Sequence, residues 1–101
     1  MSALIPKEIL DSLPDLYCST ETVDPICKVK LFTPDANWTW YIIEFSKEDN
    51  DTCYGYVKGL ENELGYFSLE EVKGVRGALK LPVERDIHFQ PTRLFKIMKE
   101  Q

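Results

Sequence analysis

The sequence predicts a single α+β domain over residues 1–101, with one antiparallel sheet of about four to five strands and short helices. Runs of aromatic and β-branched residues alternate with polar turns, which is typical of antiparallel strands. Shorter segments carry apolar residues at helical spacing or a helix-capping motif. A chain of 101 residues, 44% of them hydrophobic, has room for one core. We expect the helices at the N-terminus, after residue 68 and at the C-terminus.

The N-terminal third predicts a helix, a polar connection and a strand. Pro6 suits the first position of a helix that ends at Leu13, before Pro14. Residues 17–25 are polar and acidic, so we expect a connection there. Residues 26–32 alternate in character, with Lys28 and Lys30 between apolar side chains, which indicates a strand with one wet and one dry face.

The strongest strand signal covers residues 38–45, after a turn over residues 33–37. Alternation places the side chains on two faces: Thr39, Tyr41, Ile43 and Phe45 on one, and Trp38, Trp40, Ile42 and Glu44 on the other. Apolar character on both faces predicts a central strand that is covered on both sides. Glu44 is near the strand end, so we expect its carboxylate to reach water.

The remaining elements follow from loops, turns and capping residues. A polar loop over residues 46–52 precedes a strand over residues 53–58, which predicts an antiparallel hairpin. A turn over residues 59–63 leads to a short strand over residues 64–67. Ser68 and Glu71 have the spacing of a capping box and predict a helix to Lys73. We also expect an edge strand over residues 87–89 and a final helix, capped by Thr92, with the apolar stripe Leu94, Phe95 and Met98.

The charge differs from the usual profile of a nucleic-acid-binding protein. The chain has 12 Lys and Arg against 17 Asp and Glu, a formal net charge of −5. Proteins held by phosphate contacts usually show a basic excess instead. Residues 1–65 have five basic and twelve acidic side chains (−7), whereas residues 66–101 have seven and five (+2). We therefore expect a negative surface that suits a basic partner.

The sequence contains neither a signal-peptide pattern nor an apolar run long enough for a membrane span. Residues 1–10 lack a basic segment followed by a long apolar stretch, and the longest apolar run covers residues 40–43. The three cysteines, Cys18, Cys27 and Cys53, are odd in number and do not predict a disulfide framework. We expect reduced thiols in a cytoplasmic protein with no membrane contact.

The residue types that carry catalysis do not form a recognisable motif. His88 is the only imidazole, and no cysteine lies in a nucleophile motif or a Cys-x-x-Cys metal knuckle. We expect no metal, no other cofactor and no enzymatic activity. A cysteine-dependent enzyme is a remote alternative, with Cys18 or Cys53 as nucleophile and His88 as base.

Three blocks carry a resemblance to a known family: TPDANWTWYIIEF (residues 33–45), GYVKGLENELGYFSLEEV (residues 55–72) and LPVERDIHFQP (residues 81–91). With LPDLY (residues 13–17), they resemble a family of short bacterial proteins described only as a domain of unknown function, DUF2958. The resemblance implies an accessory protein encoded on a plasmid, integrative element or phage, and it assigns no catalytic residue. Small acidic proteins in that setting often antagonise host defence by occupying the nucleic-acid channel of a nuclease.

Our leading hypothesis is therefore a non-enzymatic anti-defence inhibitor of the anti-CRISPR or antirestriction type. Its partner would be a host defence protein with a basic surface, a nuclease such as a CRISPR effector or a restriction enzyme. We expect two hairpin tips at one end of the sheet to place five carboxylates side by side as the partner-binding surface: Glu48, Asp49, Asp51, Glu61 and Glu63.

The alternative hypothesis is an accessory factor that binds RNA or single-stranded DNA. It would use aromatic rings on the strands and the basic C-terminal third, with candidate residues Arg76, Arg85, Arg93, Lys96 and Lys99. The rings lack interleaved basic residues, and Lys58 is the nearest cation on that sheet. Core packing is therefore the expected role of the strand aromatics. The sequence leaves the oligomeric state and the sheet topology open.

Overall fold

The computed structural model describes residues 4–17 and 23–99. In chain order, the elements are α1 (Lys7–Ser12), β1 (Ile26–Cys27), β2 (Val29–Phe32), β3 (Thr39–Phe45), β4 (Thr52–Lys58), β5 (Asn62–Ser68), α2 (Leu69–Lys73), β6 (Glu84–Arg85), β7 (Thr92–Arg93) and α3 (Leu94–Lys99). The mixture of helices and strands confirms the α+β class. The helices lie near their predicted positions, with differences that are described below.

The strands form two antiparallel sheets. The main sheet has five strands in the order β5-β4-β3-β2-β6, and β1 pairs with β7 in a small second sheet. The prediction of one sheet is therefore corrected, while the antiparallel pairing and the central position of β3 are confirmed.

The predicted strand over residues 26–32 divides at Lys28. Its first part, β1, pairs with β7, and its second part, β2, pairs with β3. The Lys28 N–H still donates to the Ile42 carbonyl oxygen at 3.0 Å, so the chain changes sheets without leaving β3. The division depends on a pairing between residues far apart in the chain, which local alternation does not encode.

The predicted edge strand over residues 87–89 is wrong, because β6 forms the edge of the main sheet beside β2. Glu84 pairs with Phe32, Arg85 pairs with Leu31, and the chain then turns away after Asp86. The Phe89 N–H donates to the Asp86 carbonyl oxygen at 3.2 Å, which closes this turn.

A bulge in β3 changes the faces on which its last residues lie. Tyr41 pairs with Tyr56 and Ile42 with Gly55, but Glu44 pairs with Tyr54, so Ile43 is the extra residue. Phe45 consequently packs with Trp40 and Ile42, not with Tyr41 and Ile43 as strict alternation predicts.

Both faces of the main sheet are covered, as predicted for β3. The first face packs against the segments around α1 and α2 in one apolar cluster: Ile5, Leu13, Val29, Leu31, Trp40, Ile42, Phe45, Cys53, Leu69, Val72 and Val83. The second face packs against β1 and α3 in a smaller cluster: Cys27, Tyr41, Ile43, Tyr56, Leu94 and Ile97. The smaller cluster covers less of its face, and this leaves room for a groove.

The cap of α2 comes from the residue just before the helix, whereas the first turn of α3 is capped by a residue far away in the sequence. Ser68 caps α2 as predicted, because its Oγ accepts a hydrogen bond from the Glu71 N–H at 3.3 Å. Thr92 does not cap α3, since it lies in β7, and the Phe95 N–H instead donates to Asp24 Oδ1 at 2.8 Å.

The predicted apolar stripe of the last helix is also corrected. Leu94 is buried, but its buried companion is Ile97. Phe95 and Met98 are exposed. The buried stripe therefore consists of Leu94 and Ile97, three residues apart, because α3 docks through these two side chains on the second face.

Candidate functional site: a groove on the second face of the sheet

A groove crosses the second face of the main sheet where α3 does not cover it. It has two adjoining stretches of about 690 and 400 Å³, which share Lys30, Lys58, Asp86 and His88 as lining residues. The first stretch runs toward the connection between β2 and β3, and the second runs toward α3 and is lined by Lys96. A concave surface of this size is where a protein of this fold would take a ligand.

The strand register brings two of the lysines to the same face. Lys30 pairs with Tyr41 across β2 and β3, while Lys58 pairs with Thr39 across β3 and β4. Tyr41 and Thr39 are two residues apart on β3, so their side chains share a face, and so do the side chains of the lysines opposite them. The two ammonium groups therefore rise from strands on either side of β3.

Lys30 is held by groups of the protein itself. Its Nζ lies 3.8 Å from Asp86 Oδ2 and 5.9 Å from the centroid of the Tyr41 ring. Ion pairs occur at Lys30–Asp86 and Lys73–Glu70 in the described part of the chain, and neither involves Lys58 or Lys96. Those two lysines are the cations that a ligand would meet without displacing a carboxylate.

Aromatic rings line the groove beside these cations. Phe32 lines the first stretch, and Tyr41 and Phe89 line the second. Trp38 also borders the first stretch, but its ring stacks on Trp40 of the first-face cluster, with centroids 6.1 Å apart and planes at 22°. A Cβ at Gly59 would overlap the Trp38 ring, so the lack of a side chain at Gly59 leaves room for the indole. Phe89 packs against Tyr41 with centroids 5.7 Å apart. Packed rings next to lysine ammonium groups form a surface that can contact both a flat ligand and its negative charge.

The groove differs in charge from the chain as a whole. Lys30, Lys58 and Lys96 line it together with the carboxylates of Glu84 and Asp86. With His88 neutral, these side chains carry a formal +1 in a chain of net charge −5. Arg85 also lines the first stretch, but its Nε donates to the Leu4 carbonyl oxygen at 3.3 Å.

The five carboxylates of the predicted partner-binding surface do not form one patch. Glu48, Asp49 and Asp51 lie at the connection between β3 and β4, whereas Glu61 and Glu63 lie at and just after the turn between β4 and β5. Successive connections of an antiparallel meander alternate between the ends of the sheet. The seven residues of β4 therefore hold the two groups about 20 Å apart. The expected side-by-side arrangement is wrong.

Two of these carboxylates stabilise the fold. Asp49 Oδ2 accepts from the Thr52 hydroxyl at 2.6 Å, and its Oδ1 accepts from the Thr52 and Asp51 amides at 2.9 Å each. These hydrogen bonds lower the pKa of Asp49 to about 2. Asp51 accepts from Ser68 Oγ at 2.7 Å and from the Glu70 N–H at 2.8 Å, and it thereby joins this connection to the start of α2.

The basic residues of the alternative hypothesis are also dispersed. Arg76 donates to the Lys73 and Val75 carbonyl oxygens at 2.8 Å each, and Arg93 donates to the Asp24 carbonyl oxygen at 3.4 Å. Lys99 ends α3 and does not line the groove. Lys96 lines the groove, and neither ion pair of the described residues involves it. The sequence hypothesis missed Lys30, although the alternation over residues 26–32 already placed it on a polar face.

Most of the strand aromatics have the core role that was expected. Trp40 and Tyr56 are buried, and Tyr54 is half-buried. Tyr66 is 54% exposed and packs against Tyr54 and Tyr17, with centroids 5.0 and 6.1 Å apart.

Glu44 is buried, which contradicts the expectation that it reaches water. Only 2% of its surface is exposed, and its Oε1 accepts a hydrogen bond from the Tyr17 N–H at 2.9 Å. The bulge at Ile43 places Glu44 on the second face beside Tyr54, where the segment that contains Tyr17 covers it.

The two cysteines in the described part of the chain are free and buried. Burial, and secondarily the nearby Asp24, raises the pKa of Cys27 to about 12. Burial and the nearby Asp51 and Asp49 raise the pKa of Cys53 to about 12 as well. Both thiols therefore stay protonated at neutral pH, a state in which they are poor nucleophiles. Cys18, the other proposed nucleophile, lies outside the described residues.

Within residues 4–17 and 23–99, no three His, Cys, Asp or Glu side chains are grouped so that they could hold a metal ion. None of the helices in these two ranges has the length and apolar character needed to cross a bilayer.

The fold and the groove define a small α+β protein with a cation-lined, aromatic cleft on an antiparallel sheet. A family model described as "Protein of unknown function (DUF2958)" matches residues 4–100. The chain belongs to this family, and the resemblance of its sequence blocks is thereby confirmed. No curated protein and no solved structure matches the chain.

Proposed function

We propose that the chain is a non-enzymatic binding protein and that its groove takes RNA or single-stranded DNA. The observation that carries the proposal is the convergence of Lys30, Lys58 and Lys96 on one concave face that is also lined by the aromatic residues Phe32 and Phe89. Proteins that bind single strands combine cations that follow the backbone with aromatic rings on which bases stack. The proposal keeps the alternative sequence hypothesis but moves the contact from the dispersed arginines to the groove.

The test is a titration of labelled single-stranded RNA and DNA at low salt, followed by fluorescence anisotropy. Lys58→Glu and Lys96→Glu are each expected to weaken binding about tenfold, because each removes a phosphate contact and adds repulsion. The slope of log affinity against log salt should fall by about one for each lysine lost. Lys7→Glu on α1 is the matched control, since it makes the same charge change on an exposed lysine outside the groove.

Two outcomes would contradict the proposal. One is wild-type protein that binds neither single strand at low salt. The other is equal weakening by Lys58→Glu and Lys7→Glu, which would show that total charge governs binding and that the groove does not.

A second candidate function is anti-defence inhibition by direct contact with a basic protein surface, and the acidic end of the sheet favours it. Asp15 Oδ1 accepts from the Lys47 N–H at 3.0 Å, so this carboxylate lies beside the connection that carries Glu48 and Asp49. Asp51 extends the acidic surface toward α2, where Glu70 pairs with Lys73. Such a surface suits the nucleic-acid channel of a host restriction enzyme or CRISPR effector.

Inhibition of a purified host nuclease, measured against the salt concentration, tests this second function. Glu48→Lys is the variant of choice, because Asp49 and Asp51 are needed for the fold. Glu63→Lys, at the other end of the sheet, is the control. Loss of inhibition with Glu48→Lys alone would support the second function, and unchanged inhibition with both variants would contradict it. Under either function, we place the protein in the cytoplasm as an accessory product of a mobile element.

A further inference from the structure

The two edges of the main sheet are protected to very different degrees. β6 is two residues long, both of them charged, and Pro82 precedes it closely. Short, charged edges next to proline discourage pairing with another chain. β5 is seven residues long, has a single charged residue in Glu63, and contains neither lysine nor proline. An edge of this length, with which no strand in residues 4–17 and 23–99 pairs, is open to pairing with a further strand.

The hydrogen-bond alternation of β5 shows which of its backbone groups face outward. The Leu69 N–H donates to the Asp51 carbonyl oxygen at 2.9 Å, so the backbone groups of Leu69 face β4. Along an antiparallel strand, the backbone groups of successive residues point alternately to one neighbouring strand and to the other. The residues two and four positions before Leu69 therefore also face β4. Gly65 and Phe67 therefore bond to β4. The N–H and C=O groups of Leu64 and Tyr66 point away from β4, toward the outer edge, where no strand of the described residues pairs.

The side chains of the same two residues supply apolar surface beside this outer edge. Leu64 is 43% exposed and Tyr66 is 54% exposed, and both lie on the second face of the sheet. Gly65 lies between them with its Cα toward the first face, where a Cβ would meet no atom within 4 Å, so no side chain stands between the two apolar residues. Exposed apolar side chains along an open edge are typical of a strand-pairing surface.

We infer that β5 pairs with β5 of a second copy of this chain and makes a two-fold symmetric dimer with a continuous ten-stranded sheet. In an antiparallel register centred on Gly65, Leu64 lies opposite Tyr66 of the second copy, and Tyr66 lies opposite its Leu64. These are the outward-facing residues, so each of these pairs exchanges hydrogen bonds.

The charges and overlap of this register favour a second copy as the occupant. The register uses all seven residues of β5, and shifting its centre to Leu64 or Tyr66 shortens the overlap. Glu63 lies opposite Phe67 of the second copy, so no like charges face each other. The dimer leaves the groove open, because its lysines come from β2, β4 and α3.

Sedimentation velocity of the full chain tests the dimer, with Leu64→Lys as the variant. Wild type is expected to be dimeric at about 100 µM, and Leu64→Lys should raise the dimer dissociation constant at least about tenfold. Leu79→Lys is the control, since Leu79 is an exposed leucine in the segment between α2 and β6. Monomeric wild type, or equal effects of the two variants, would overturn the inference.

Amide hydrogen exchange gives a second measurement that does not depend on a variant. In the dimer, the Leu64 and Tyr66 amides should exchange at least about tenfold more slowly as the protein concentration rises. The Gly65 and Phe67 amides, which already bond to β4, serve as references in the same strand. Protection of Leu64 and Tyr66 that is absent, or that does not change with concentration, would contradict pairing with a second copy.

Discussion

Gly55 lies in β4 opposite Ile42, where the backbone of β3 approaches closely. A Cβ at this position would overlap the carbonyl oxygen of Tyr41, which is backbone and cannot rotate away. We expect Gly55→Ala to lower the free energy of unfolding by roughly 1–3 kcal/mol, the usual cost of overpacking. Urea unfolding measures this change.

Gly65→Ala is the matched control for this prediction. The two glycines pair with each other across β4 and β5, but a Cβ at Gly65 meets open space. Alanine also has the better strand propensity of the two, so Gly65→Ala should leave stability unchanged or slightly higher. Equal destabilisation by both variants would contradict the steric explanation.

Asp49 makes stability depend on pH through its hydrogen bonds. The Thr52 hydroxyl and the Thr52 and Asp51 amides lower its pKa from the usual 3.8 to about 2. A pKa that is lower in the folded state gives stability that is complete above the unfolded value and is lost as the pH falls through the folded value. Asp49→Asn should therefore be less stable than wild type at neutral pH, and this gap should close between about pH 4 and pH 2.

Thermal melts across this pH range measure the gap, with Glu48→Gln as the control from the same connection. Glu48 is exposed, so we expect its variant to follow the wild-type curve throughout. A gap between wild type and Asp49→Asn that persists at pH 2 would assign the effect to packing instead of charge.

At the scale of elements, α2 depends on a cap that is shared with a distant turn. Ser68 Oγ accepts from the Glu71 N–H and donates to Asp51 Oδ2 at 2.7 Å. Ser68→Ala removes both hydrogen bonds and should cost about 1 kcal/mol, close to the usual value for an N-cap serine. For a domain of this size, that loss lowers Tm by about 4–8 °C.

Ser12→Ala is the matched control for the cap. Ser12 ends α1, and its hydroxyl donates to the Ile9 carbonyl oxygen at an exposed position. We expect its replacement to change stability by less than about 0.5 kcal/mol. If both serine variants cost the same, Ser68 does not act as a cap.

The elements that sequence reasoning predicted correctly are those with local determinants. Ser68 and Glu71 define the start of α2, and the run of apolar residues around Trp40 defines a central strand. β6 and β7 were missed because two residues carry no periodicity, and each forms only by pairing with a strand more than fifty residues away. The bulge at Ile43 could not be predicted either, because it depends on how β3 pairs with β4 and not on the local sequence of β3.

At the scale of the whole molecule, the candidate site could not be predicted because topology assembles it. Lys30, Lys58 and Lys96 are each separated by more than twenty-five residues in sequence, and only the strand order and the docking of α3 place them together. The acidic residues show the converse case. Glu48 and Glu61 are close in sequence, but an antiparallel strand carries them to opposite ends of the sheet.

This separation allows local charge to be distinguished from net charge. Glu84 lines the groove and Glu48 lies at the opposite end of the sheet, and each is exposed. Glu84→Gln and Glu48→Gln change the net charge from −5 equally, to −4. If the groove holds the single strand, Glu84→Gln should tighten binding about threefold at low salt by removing a nearby repulsion.

The salt dependence completes this comparison. Glu48→Gln should change the affinity by less than about 1.5-fold, because the distance of about 20 Å exceeds the screening length at physiological ionic strength. The difference between the two variants should disappear near about 1 M salt, where the screening length falls to about 3 Å. Equal tightening by both variants at low salt would mean that the affinity for the single strand depends on the total charge of the protein. That result would contradict the groove as the binding surface.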